Sequence, residues 1–450
     1  MKPFSCIAVA CTFICSASAS AQIHNENFKF LPNDGQVSAA FGFSIDADNG
    51  IIAVGSPYNG DGYSGSVYLF DQNTGQQLRK LTPDIPLSNG NFGVSVAIEN
   101  NLIVVGSAHY HAPYGVGFAY IFDAQTGEQL AKLTPDTGDE PGSFGYAVDI
   151  EDGIIAVGSP RLGTGAVYLF DAATGTQLHR ISDADNLIDL ANFGQALDMD
   201  QGVLAIGAPN DGPAGSLLEG PGSAYLYNIA TRNQIKKIWS SDGTPNNRFG
   251  SSVAIEGDRI IVGAPGGTAG DGNGHAYLFS FNNNDTQEMT KLHRDFDAGT
   301  YQYFSQSVSI ENGKAAIGAM GSRLNGEVQY SNAGAVYLFD TVSGDKITRF
   351  VASDATRDDT LGRAVVVTGN TIYTGSIWDD DNGDNSGSAY AFSIQCDADL
   401  NNDSQINFLD VSAYLAAFSA QDPIADFEAD GNFNFLDVSA FLAAFGAGCP

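Results

Sequence analysis

Two stretches near the C-terminus place oxygen-bearing side chains at a spacing that suits a hard cation. Asp399, Asn401, Asp403, Gln405, Asn407 and Asp410 recur 27 residues later as Asp426, Glu428, Asp430, Asn432, Asn434 and Asp437. Within each twelve-residue loop they occupy positions 1, 3, 5, 7, 9 and 12, with position 7 contributing its backbone carbonyl. Ca²⁺ takes six to eight oxygens, and this is the spacing of loops that supply them. Position 12 is Asp rather than Glu in both copies, so a shorter carboxylate must reach the ion. Position 6 is Gly431 in the second loop but Ser404 in the first, so the first loop is expected to bind more weakly.

Each loop leads into Val-Ser-Ala-(Tyr/Phe)-Leu-Ala-Ala-Phe. Val411, Tyr414, Leu415 and Phe418 are expected on one helical face, matched by Val438, Phe441, Leu442 and Phe445. Two loop-helix units of this kind resemble a dockerin, a calcium-dependent module that docks onto cohesin domains, and the closing Gly448-Cys449-Pro450 is similar to dockerins ending in Gly-Cys. The resemblance covers Cys396–Pro450. It implies two calcium ions and attachment to a cohesin-like protein or another cell-surface anchoring partner. Cys396 and Cys449 bracket the segment and, in an exported chain, are expected to form a disulfide. So small a core needs metal and staple to fold.

Elsewhere chemistry is sparse. There is no Gly-x-Ser-x-Gly, His-Glu-x-x-His or phosphate loop. His109 and His111 could ligate a metal but lack an evident third ligand. The densest acidic loop holds Trp378, Asp379, Asp380, Asp381 and Asp384, a candidate for holding a cation or contacting a sugar through Trp378, with a solvated turn as the plainer reading.

What must position these groups is a repeat spanning residues 41–394. Phe-Gly recurs at Phe41, Phe92, Phe144, Phe193 and Phe249, then degenerates to Phe304-Ser305 and Leu361-Gly362, at intervals of 49 to 57 residues. Each unit contains four short segments: Phe-Gly-x-Ser-Val-x-Ile (a), an apolar run such as Ile51–Gly55 (b), Ser-Val-Tyr-Leu-Phe-Asp (c) and Gln-Leu-x-Lys-Leu (d). Their length, β-branched and aromatic content, and Gly/Asn/Asp boundaries predict strands. Four antiparallel strands per unit, without intervening helix patterns, predict an all-β propeller, with a stacked solenoid as the competing reading. Segments a, b and c occur seven times but d only six after Phe41. Phe28–Asp34 aligns with Leu78–Asp84 and is expected to supply the seventh, pairing beside Ser388–Ile394 to close a seven-bladed ring.

The Phe-Gly start and the Gly-Ser/Ala-Pro at 55–57, 158–160, 207–209 and 263–265 resemble the FG-GAP repeats of integrin α-subunit propellers and bacterial surface proteins. That family's calcium repeats carry an Asp-rich loop between strands a and b. Here those connections are short, as at Asn100-Asn101, so the resemblance carries over the fold and not those sites. Asp-x-x-Thr-Gly-x-x-Leu is also similar to quinoprotein propellers, but only Trp239 stands where those place a Trp.

Composition sets the outer limits. With 52 Asp+Glu against 20 Lys+Arg, a net charge of −32 disfavours nucleic acid and anionic membranes. Residues 1–21 read as a secretory signal: Lys2, an apolar stretch from Ile7 to Ile14, and Ala19-Ser20-Ala21 before Gln22. Cys6, Cys11 and Cys15 would leave with it. No later segment approaches 18 uninterrupted apolar residues, so no membrane insertion is expected in the mature chain. The expected domains are a signal (1–21), a propeller (22–394) and a dockerin (395–450). Two functions follow as expectations: a secreted or surface-displayed noncatalytic binding or scaffolding propeller, whose ligand is a protein or polysaccharide, or a carbohydrate-active enzyme by association with dockerins. Short loops and regular repeats favour the first.

Overall fold

The computed structural model describes residues 26–108, 115–136, 142–161, 163–182, 191–212, 220–243, 245–266, 274–282, 285–293, 303–323, 331–394, 398–401, 406–427 and 431–447. Seven four-stranded antiparallel sheets form the blades of a propeller. In blade 1 the strands run from a at the channel to d at the rim: Ile45–Asp48, Ile51–Ser56, Ser66–Asp71 and Gln77–Leu81. Strand b is buried along nearly its whole length, as its continuous apolar run requires. Residues Asn49 and Gly50 both take positive φ (48° and 84°), the geometry of a tight hairpin turn matched to strand twist.

Blade 7 combines Leu361–Thr368, Thr371–Ser376 and Ser388–Ser393 with the N-terminal strand Phe28–Phe30. Phe28, Lys29 and Phe30 pair with Ala391, Tyr390 and Ala389, so the ring closes as the strand count requires.

Phe-Gly is not the start of a regular strand, as the repeat pattern implied. In blades 1, 3, 4 and 5 regular pairing begins only at Ile45, Val148, Ala196 and Ser252. In blades 2, 6 and 7 the register shifts just after Phe92, Phe304 and Leu361. The cause is a left-handed kink on both sides of the aromatic residue. Asn91 and Gly93, for example, have φ of 50° and 91°. The kink drives Phe92 edge-on against Tyr120 and Phe122 of its own strand c, at 5.5 and 5.7 Å. It also pushes the Gly93 carbonyl against Gly55 on strand b of the preceding blade, where an added Cβ would overlap that oxygen. Ser305, which replaces the glycine in blade 6, has φ 69°; its hydroxyl donates to the His275 carbonyl and accepts from the Ala264 N–H.

The apolar core is accordingly divided among the blade junctions. One cluster joins Leu69 and Leu81 of blade 1 to Phe92, Ile103 and Phe122 of blade 2. Another joins Phe30 and Ala391 of blade 7 to Phe41 and Ile52 of blade 1.

The C-terminal segment forms two helices, α1 (Phe408–Ala420) and α2 (Phe435–Ala447), around a small core of Ala398, Tyr414, Ala425 and Phe441. Tyr414 and Phe441 stack with centroids 4.0 Å apart. The expected apolar stripe is narrower than its pattern: Val411, Tyr414 and Phe418 pack inward with Val438, Phe441 and Phe445. Leu415 and Leu442 instead point outward, more than half exposed, because positions i, i+3 and i+7 already fill this small contact.

Candidate functional site

The innermost strands line a central channel. At the end where the loops before strands a and c gather, the residue after each Phe-Gly differs from blade to blade: Phe43, Val94, Tyr146, Gln195, Ser251, Gln306 and Arg363. These surround a cavity of about 240 Å³. Below them lies a collar of Ile45, Val96, Val148, Leu197, Val253, Val308 and Val365. The frame repeats while the mouth varies.

Blade 1 gives this mouth its most distinctive feature. The Arg363 guanidinium lies 3.8 Å from the centre of the Phe43 ring, Phe43 meets Tyr58 edge-on at 6.0 Å, and Tyr58 meets Tyr63 at 5.8 Å. Tyr58 and Tyr63 are 37% and 52% exposed, so the ladder climbs from the channel into solvent. Tyr63 holds φ 58°, unusual for a bulky residue, and both its backbone groups are engaged: N–H to the Gly60 carbonyl, C=O from the Asn91 N–H.

The channel's other half carries carboxylates on alternate positions of strand a. Asp48, Glu99, Glu151, Asp200, Glu256 and Glu311 each accept backbone N–H groups from the next blade's hairpin, as Glu151 does from Gln201 and Gly202. Two residues back along the strand, Asp46 accepts from Ile98 N–H and Asp198 from Ile255 N–H, again bridging blades. Desolvation raises the Asp46 pKa to about 6 and the Asp198 pKa to about 8, and Asp149, facing both, is pushed well above the ordinary carboxylate value by burial and by their charge.

The acidic loop singled out in the sequence is organised by the chain's own cation. The Lys29 ammonium sits among Asp354 (2.6 Å), Asp379 (3.2 Å) and Asp381, above the Tyr390 ring. Desolvation would lower its pKa, but hydrogen bonds and charge from Asp354, Asp381 and Asp379 raise it above the ordinary lysine value. Tyr390 donates to Asp379 at 2.6 Å. Asp380 shapes the turn by accepting from Asn385 N–H, Asp384 accepts from the Asn385 side chain, and Trp378 is half-exposed. The same clasp recurs between other blades. Tyr68 and Lys80 of blade 1 hold Asp34, which follows the outer strand of blade 7, and Tyr277 and Lys291 hold Asp242.

In the C-terminal segment, the loop ends close on themselves. Asp410 is fully buried and accepts from the N–H groups of Asn401 and Asn407. Desolvation opposes its ionisation, but those N–H groups and the Asp399 side chain outweigh it and lower its pKa. Positions 1 and 12 of the first loop thus converge. Asp437 is buried likewise and accepts from Asn434 N–H, while Asp426 accepts from Gly431 N–H. The Asn432 backbone carbonyl accepts from the Asn434 side-chain amide. Asp403, Gln405, Glu428, Asp430, Cys396, Cys449, His109, His111 and residues 1–21 lie outside the described residues.

Sequence reasoning did not find Lys29, the Phe43–Tyr58–Tyr63 ladder or the Asp46–Asp149–Asp198 group. The usable signal, for Phe43 at least, was the position after Phe-Gly, which ranges from Ser to Arg and Tyr while the fourth position stays Ser or Ala.

Closed ring, inter-blade cores and variable mouth define a seven-bladed β-propeller. The FG-GAP repeat model matches residues 25–70, 76–122, 233–279, 287–339 and 345–392, more than half of the chain. The chain belongs to the FG-GAP repeat family. Each match begins at or near an outer strand and ends in or just beyond strand c of the following blade, the same offset that lets Phe28–Phe30 close the ring. No curated protein matches the chain.

Proposed function

We propose that this is an exported, noncatalytic binding or scaffolding protein whose propeller presents a ligand surface and whose C-terminal segment is a dockerin. A propeller of FG-GAP repeats suits a binding or scaffold role. The observation that carries the reading is the channel mouth, where side chains vary on a backbone frame held constant by the Phe-Gly kinks.

Attachment rests on the helical segment. Asp399, Asn401, Asp403, Gln405, Asn407 and Asp410 would hold one Ca²⁺, and Asp426, Glu428, Asp430, Asn432, Asn434 and Asp437 a second. The donor set fits: Asp399 and Asp410 interact directly, and Asp410 and Asp437 are both buried carboxylates at the twelfth position of their loops. Ca²⁺ would supply the positive charge that these gathered oxygens need. The outward faces repeat as well: Phe408, Leu409 and Leu415, then Phe435, Leu436 and Leu442, all more than half exposed. Such a duplicated apolar surface suits a cohesin-like protein partner. The signal at 1–21 would place the protein outside the cell. No helix among the described residues is long and apolar enough to cross a membrane.

Calcium titration of the full chain tests this reading. Uptake of about two ions per chain is expected, with Asp426→Ala removing one. Absence of calcium uptake would refute the dockerin assignment, and turnover of a polysaccharide would replace the binding role by the enzymatic one.

A further inference from the structure

We propose that the ladder on blade 1 is a binding subsite for a neutral polysaccharide, an inference that rests on the channel mouth being the ligand surface. The site is built from Phe43, Tyr58 and Tyr63, with Arg363 fixing its inner end. Three observations carry it.

The first is broken symmetry. The position of Tyr58, three residues after the strand-b glycine, is taken by His109, Arg161, Asn210, Gly266 and Gly321 in blades 2 to 6 and by an aromatic residue again only in blade 7, Trp378, so the propeller frame does not require an aromatic residue there. Tyr58 and Tyr63 are exposed although the core is complete without them. The second is local strain. Tyr63 is held at φ 58° by hydrogen bonds to Gly60 and Asn91, a conformation that any glycine would adopt more easily. The third is geometry. Successive rings are turned by 70° and 78°, forming open corners whose faces suit the C–H face of a sugar ring.

Charge selects an uncharged ligand. The guanidinium beside the ladder already lies on the Phe43 ring, and the chain's net charge of −32 repels polyanions. A peptide adding itself as a β-strand would need a free sheet edge. Strand a, nearest the ladder, ends its sheet, but its unpaired edge faces the channel between the inner strands of the adjacent blades, and the outer edges lie on the rim. An extended glycan lying along the ladder meets no such requirement.

Affinity electrophoresis of the full chain through gels containing galactomannan, mixed-linkage β-glucan or xylan tests the proposal, with polygalacturonate and poly-L-proline as the competing classes. Retardation by at least one neutral polysaccharide is expected. Tyr58→Ala and Tyr63→Asn, the latter chosen because Asn tolerates positive φ, should each weaken it on the order of tenfold with unchanged melting temperature. Trp239→Ala, removing another exposed aromatic residue, should leave it intact. The proposal falls if no neutral polysaccharide retards the protein, or if retardation survives both tyrosine changes. If poly-L-proline is bound instead and the tyrosine variants abolish that, the ligand class is wrong while the mouth remains the binding surface. If none of the five probes is bound, the mouth loses its support too.

Discussion

Asp198→Asn should stabilise the propeller at alkaline pH and leave it unchanged in acid. Asp198 has a pKa near 8 in the folded chain, raised chiefly by desolvation and by the charge of Asp46. In the unfolded chain it would titrate near 3.8. The folded state therefore binds more protons than the unfolded state between those values, and stability must fall as pH rises through that window. Asp46, with a folded pKa near 6, and Asp149, shifted in the same direction, add to the decline. Above the folded pKa the loss is complete and the curve flattens.

At about 1.4 kcal/mol per unit, the Asp198 shift sets an upper bound of roughly 6 kcal/mol. Solvent enters the channel from both ends, so on the order of 2 kcal/mol is expected. An amide is neutral at every pH, and its oxygen can still accept the Ile255 N–H. The gain at pH 9 corresponds to a rise in melting temperature of about 2–3 °C for a domain of this size, against none at pH 4. Both tryptophans, Trp239 and Trp378, lie in the propeller, so their fluorescence follows this unfolding without interference from the C-terminal helices. A difference between variant and parent that did not change with pH would refute the channel electrostatics. So would a parent melting temperature that failed to fall between pH 5 and pH 9.

Ring closure predicts that Lys29→Met, which leaves Asp354, Asp379 and Asp381 facing one another, costs about 1–3 kcal/mol, whereas Asp381→Asn, at a residue 52% exposed, costs under about 1 kcal/mol. Equal midpoints in urea for the two variants would contradict the clasp. Blade packing predicts that Gly106→Ala, whose Cβ would overlap the Gly145 carbonyl, costs about 2–3 kcal/mol, while Gly202→Ala, in open space but at φ 74°, costs about 1 kcal/mol. A reversed order in the same urea series would show that the blades do not meet as tightly as the kink demands.

How much of this was legible in the sequence depended on whether a feature recurred. Strand content, blade number and the displaced closing strand all follow from a period that repeats through residues 41–394, and the structure bears them out. The role of Phe-Gly was misread because its cause is not local: Gly93 contacts Gly55 of the previous blade, and no single repeat reveals that contact. Lys29 lies 350 residues from Asp379, so only closure of the ring brings ammonium and carboxylate together. Leu415 and Leu442 fit the helical period yet face solvent, because so short a helix pair has only a narrow contact to fill. The ladder was missed for the opposite reason. Tyr58 falls at a position whose residue type changes in every blade but two, Tyr63 in a loop outside the repeat, and a search for regularity passes over both. In a ring whose seven blades must satisfy the same packing, recurring residues are accounted for by the frame. Side chains that the frame does not require, and that are held exposed in a strained backbone, are where selection for a ligand would be written.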